Sequence, residues 1–113
     1  MRWISRKEFW SKAAGGALDL DTWCYFEISE KDLREKIGAQ EPERDLSGED
    51  DPPGPLSRWY GDIEGVPFLL DFHHAHPRGE AVTIRHIDAP DAREKIRSEF
   101  KLWGKNWDES KAS

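Results

Sequence analysis

The chain has 113 residues, enough for one domain with one modest core. Hydrophobic residues make up 36% and charged residues 35%, so six Trp and five Phe must supply much of what the core buries. The net charge of −6 argues against nucleic-acid binding, no apolar run approaches the roughly 20 residues that span a bilayer, and a single cysteine excludes an internal disulfide.

The first predicted element is a helix over Arg6 to Ala14. Ser5 and Glu8 form a capping box, Ile4 and Phe9 stand where a hydrophobic staple places them, and Gly15-Gly16 stops the helix. Phe9, Trp10 and Ala13 make its apolar stripe. The start Met1-Arg2-Trp3-Ile4-Ser5 turns polar too soon for a signal peptide, and the lone Cys24 fits a reducing cytoplasm. Thr22 to Ile28 is aromatic and β-branched, a largely buried strand. Ser29 then caps a second helix over Glu30 to Ile37, with Asp32 at its third position, Ile28 and Leu33 as staple, and Gly38 as stop.

Ala39 to Leu56 reads as an exposed loop rich in acid, Pro and Gly. Glu41, Glu43, Asp45, Glu49, Asp50 and Asp51 stand there against Arg44 alone, so Glu41–Asp51 carries −5 of the chain's −6. Residues 1–14 carry +3 and residues 92–113 carry +2. A connection of about 18 residues is long enough to be functional or disordered.

A three-stranded meander follows. Glu64-Gly65 is a two-residue hairpin turn that pairs Ile63 with Val66, Gly61 with Phe68 and Trp59 with Leu70, all on one face. Pro77-Arg78-Gly79 reads as a three-residue turn that pairs Phe72 with Ile84, His74 with Val82 and His76 with Glu80, and sets His86 beside Leu70. The opposite face carries Tyr60, Asp62, Leu69, Asp71, His73, Thr83 and Arg85, polar enough to meet water or a partner. Asp88-Ala89-Pro90-Asp91 starts a last helix with Pro90 in its first turn. Ala89, Ala92, Ile96, Phe100, Trp103 and Trp107 recur at helical spacing, Gly104 ends or loosens the helix, and residues 108–113 form a frayed tail. The order α-β-α-loop-β-β-β-α predicts one α+β domain over 1–113: a two-layer fold with a mainly antiparallel sheet and helices on one face.

Chemistry has few footholds. The proposed second turn brings His74, His76 and Glu80 to one face, and two imidazoles and a carboxylate suit zinc or iron in a small metal-dependent enzyme. The plainer reading is a strand end emerging into water, since no C-x-x-C or H-E-x-x-H pattern supports a site; the expectation is no metal, no cofactor and no enzymatic activity. Cys24, between Trp23 and Tyr25, reads as a packed thiol, and His86 as a core-edge histidine. Trp3, Trp103 and Trp107 could anchor a general interaction module.

The acid-rich loop reads in two ways. It is a solvated linker, or, with Asp62, Glu64 and Asp71, it is a docking surface that steers a basic protein. In size, acidity, lack of an export signal and α+β character the chain resembles the small acidic immunity proteins of bacterial toxin–immunity systems, including contact-dependent growth inhibition. The resemblance implies a cytoplasmic, non-enzymatic protein that neutralises a cognate toxin domain, often a nuclease whose phosphate-binding cleft carboxylates can occupy.

Overall fold

The computed structural model describes residues 1–14, 22–44, 56–74, 77, 79–87 and 90–109. Among them the elements run β1 (Arg2–Trp3), α1 (Arg6–Ala14), β2 (Thr22–Glu27), α2 (Glu30–Ile37), β3 (Glu43–Arg44), β4 (Leu56–Ile63), β5 (Val66–His73), β6 (Ala81–His86), α3 (Ala92–Phe100) and β7 (Lys105–Glu109). The strands form one antiparallel sheet in the order β1-β4-β5-β6-β2-β7, with β3 also paired to β4. The α+β class and the antiparallel sheet are as expected. No described helix is long and apolar enough to cross a membrane.

The local signals act as their chemistry requires. Ser29 Oγ accepts from the Asp32 N–H at 3.2 Å, and α2 ends at Gly38, whose φ of 87° suits glycine. Ser5 Oγ accepts from the Glu8 N–H at 3.0 Å, but the Glu8 carboxylate turns to Arg2 at 2.6 Å. The glycine pair expected to stop α1 lies outside the described residues.

The β4–β5 register is the predicted one, including Ile63 with Val66, Gly61 with Phe68 and Trp59 with Leu70. Gly61 is required there: an added Cβ would run into the Phe68 ring. The β5–β6 register differs by two residues. Phe72 pairs with Val82, Leu70 with Ile84 and Phe68 with His86, and the ladder ends at His73 with Ala81. The connection is therefore longer than a three-residue turn, because its end residues bond elsewhere. His74 turns to Ser57, and the Glu80 carbonyl accepts from the Ile28 N–H. A shift of two preserves side-chain parity, so the expected core face survives.

That face carries Cys24, Phe26, Trp59, Phe68, Leu70, Phe72, Val82 and Ile84 under Leu33 and Ile37 of α2 and Ala92, Ile96 and Phe100 of α3. α1 does not join this layer. The Ile4 N–H donates to the Tyr60 carbonyl at the sheet edge, and Ile4 and Phe9 bury against Tyr60 and Leu69, the apolar residues of the opposite face. Trp10, placed in the stripe by spacing, is exposed.

The C-terminal segment is a second difference. The last helix starts at Ala92, with Asp91 before it at φ 63°, so Pro90 precedes the helix instead of entering it. Past Phe100 the chain reverses, and Lys105–Glu109 adds to the free edge of β2. Of the expected frayed tail, Asp108 and Glu109 are thus strand residues and 110–113 lie outside the described residues; Trp107 stacks on Phe26 from the same strand, with ring centroids 6.0 Å apart. Glu109 holds the strand to α3 through Arg97, with Arg93 at 3.8 Å. The hydrogen bond from Arg97, helped by Trp107 and by the charges of Arg97 and Arg93, outweighs partial burial and brings the Glu109 carboxyl from 4.5 down to about 2. A lowered carboxyl pKa stabilises the fold above the unfolded value and loses that contribution as pH falls through the folded one. Urea midpoints should therefore drop between pH 4.5 and about 2, and Glu109→Gln should flatten the curve in that window. An unchanged slope in the variant would show that another carboxylate controls acid unfolding.

Candidate partner-binding surface

The acid-rich segment leaves the sheet at a defined place. Glu43 pairs with Arg58 and Arg44 with Ser57, so β3 holds one end of the run against β4, where the chain re-enters the sheet. This two-residue strand was expected to be loop. Its signal is too short for periodicity to detect, and the pairing depends on β4, a partner distant in sequence. Asp45, Glu49, Asp50 and Asp51 lie outside the described residues. Glu41 is exposed. Glu43 is half-buried: it accepts from Arg6 at 3.2 Å through Oε1 and from the Tyr60 hydroxyl at 3.2 Å through Oε2.

The other docking acids are not beside it. Glu64 is exposed in the β4–β5 turn. Five strand residues lie between it and Arg58, a span of roughly 20 Å at the rise of an extended chain. The sheet face expected to meet water is buried at Asp62 and Asp71. Asp62 accepts from Lys12 at 2.7 Å and from the Gly65 N–H at 3.0 Å. Burial pushes its carboxyl up, but those two bonds and the charges of Lys12 and Arg2 outweigh this and leave it below the usual range. Asp71 receives a two-pronged grip from Arg58 at 2.7 and 2.9 Å, and Arg85 stands at 3.5 Å. Both acids are matched by cations inside the fold, and α1 covers part of the face expected to be open. They are structural groups, and of the expected docking acids that are described, the exposed ones are Glu41 and Glu64.

A groove of about 160 Å³ opens beside the acid-rich segment. Its walls come from three distant stretches: Ile4 to Arg6, Gln40 to Glu43, and Arg58 to Tyr60. Pockets for small metabolites usually begin at roughly 300 Å³, so this one suits a single side chain. The Trp59 Nε1–H donates to the Gln40 carbonyl at 3.1 Å and ties two of the walls together. Burial and the charge of Glu43 push the Tyr60 hydroxyl up in pKa, which keeps it a hydrogen-bond donor to that carboxylate. Sequence reasoning did not find this groove, because nothing in the three segments points to their meeting.

Two of the three residues in the histidine constellation, His74 and Glu80, are described, and each has contacts of its own. His74 Nε2 lies 2.7 Å from Ser57 Oγ, its ring stands edge-on to Phe72, and its Nδ1 is 4.0 Å from Glu30. Glu80 is 3.7 Å from Lys105, and His76 lies outside the described residues. Among the described residues no three His, Cys, Asp or Glu side chains converge as metal ligands. Ser57, His74 and Glu30 follow the order of nucleophile, base and orienting acid, an arrangement not foreseen from the sequence. Ser57 is fully buried, so no substrate carbonyl reaches its hydroxyl. The serine satisfies the histidine at a strand end.

Cys24 is buried as expected. Loss of water and then the charge of Glu109 push its thiol up to about 11, the opposite of an activated nucleophile. His86 is fully buried, and its Nδ1–H donates to the Ile87 carbonyl at 2.9 Å. Trp3, Trp103 and Trp107 lie partly buried against the core, with Trp3 edge-on to Phe68 and Trp103 tilted on Phe100. No family model, no curated protein and no solved structure matches this chain.

Proposed function

We propose that the chain is a cytoplasmic immunity protein that binds a basic toxin domain, a nuclease, and blocks it by electrostatic docking rather than by chemistry of its own. The supporting observation is the β3–β4 pairing. It fixes the start of an eleven-residue stretch carrying −5 to the sheet edge, with Glu41 exposed beside it. A run of that net charge, tied at its start to the sheet, supplies a strong local negative field. Capture by such a field is fast and weakens as salt screens it, with a Debye length of about 8 Å at physiological strength. Outward carboxylates also suit a cleft lined with Lys and Arg for phosphate.

The test is survival and kinetics with a basic toxin domain, sought first in the neighbouring reading frame. Co-expression should rescue cells that make the domain. Association should slow by about tenfold between 50 and 300 mM salt, and Glu49→Lys, Asp50→Lys and Asp51→Lys together should slow it by a further ~10-fold or more while dissociation changes less. Failure to rescue, or an association rate indifferent to the triple reversal, would reject the reading.

A further inference from the structure

We infer that the groove between Ser5-Arg6, Gln40 to Glu43 and Trp59-Tyr60 is the seat for an arginine side chain of the partner, and that Arg6 holds the seat until the partner arrives. The inference rests on the reading of a basic protein partner and adds where one of its side chains is gripped.

Three observations carry it. The groove, at about 160 Å³, has room for one long side chain. Glu43 is aimed in advance: the Tyr60 hydroxyl, on a buried residue, donates to Oε2 and leaves Oε1 to face a cation. The cation now there is a guanidinium of this same chain, Arg6, at 3.2 Å with 65% of its side chain exposed. An exposed pair of that kind holds weakly and is easily exchanged. Arg58, the other cation of the lining, is held by the two-pronged contact with Asp71, which offsets the charge it directs at Tyr60. Glu41, exposed and two positions from Glu43, adds a second carboxylate at the rim. A planar guanidinium can share its donors between two carboxylates, whereas a lysine ammonium acts as a point charge.

The seat is tested on the whole chain with blocked arginine, N-acetyl-arginine amide, followed by NMR at the Trp59 indole N–H, which bonds across the groove wall to Gln40. Saturable shifts confined to Ile4 to Arg6, Gln40 to Glu43 and Trp59-Tyr60 are expected, with millimolar affinity of about the weakest measurable kind. Arg6→Gln should tighten binding about threefold by removing the resident cation. Glu43→Gln should weaken it about fivefold or more, and blocked lysine should bind less well than blocked arginine. No saturable shift in Arg6→Gln, or equal binding by Glu43→Gln and the parent chain, would overturn the assignment. If the triple reversal at 49–51 slows toxin capture while arginine ignores the groove, the seat is rejected and the partner reading stands. If arginine fills the groove but the toxin domain is not bound, the partner reading is rejected and the seat stands.

Discussion

Asp71→Ala is expected to cost about 3–5 kcal/mol, the range for removing one partner of a buried ion pair. The Asp71 side chain is 4% exposed and that of Arg58 11%, so neither charge has much water to fall back on. Asp71 also neutralises Arg85 from the neighbouring strand. The truncation therefore leaves two guanidinium groups facing each other across β4, β5 and β6, one of them nearly buried. Because the pair carries its own desolvation cost, replacing both Arg58 and Asp71 with leucine should recover much of the loss. Urea unfolding of the two variants distinguishes the cases. A single variant within about 1 kcal/mol of the parent would mean that Asp71 is a surface acid after all.

Gly104→Ala is expected to cost about 3 kcal/mol, at the upper end for overpacking. An added Cβ would overlap the Glu27 carbonyl oxygen and stand 2.8 Å from Phe26 Cδ2. The first is backbone of β2 and cannot rotate away. The chain must lift, and β7 with it, because Gly104 sits where the polypeptide turns from α3 into that strand. Release of β7 also uncovers Cys24, which pairs with Glu109 and is fully buried. Thiol titration with an aromatic disulfide should be slow in the parent chain and at least about tenfold faster in the variant, reporting the local opening of one edge strand. Equal thiol reactivity would show that β7 tolerates the methyl group and that the close approach relaxes elsewhere.

The acids illustrate how a site is and is not legible in sequence. Composition located the run Glu41–Asp51 without help from structure, since charge counts need no fold. Spacing also put Asp62 and Asp71 on one sheet face correctly, but spacing cannot say whether a face is open. That was settled by Lys12, Arg58 and Arg85, which reach these carboxylates from other strands and from α1. Arg6 and Gln40 carried no signal, and Tyr60 only a place on the polar sheet face, because a groove built from three segments exists only once β4 has brought them together.

The sequence alone determined the elements whose causes are local: α1 and α2 through their serine caps, and the β4–β5 hairpin through Glu64-Gly65 and strict alternation. Tertiary structure decided what depends on distant partners. It lengthened the β5–β6 connection when His74 and Glu80 found Ser57 and Ile28, drew Lys105–Glu109 onto the open edge of β2, and sent α1 to the face where Tyr60 and Leu69 needed cover. The physical divide is between backbone groups satisfied within a few residues and those, like the free edge of a strand, that can be satisfied only by whatever part of the chain arrives.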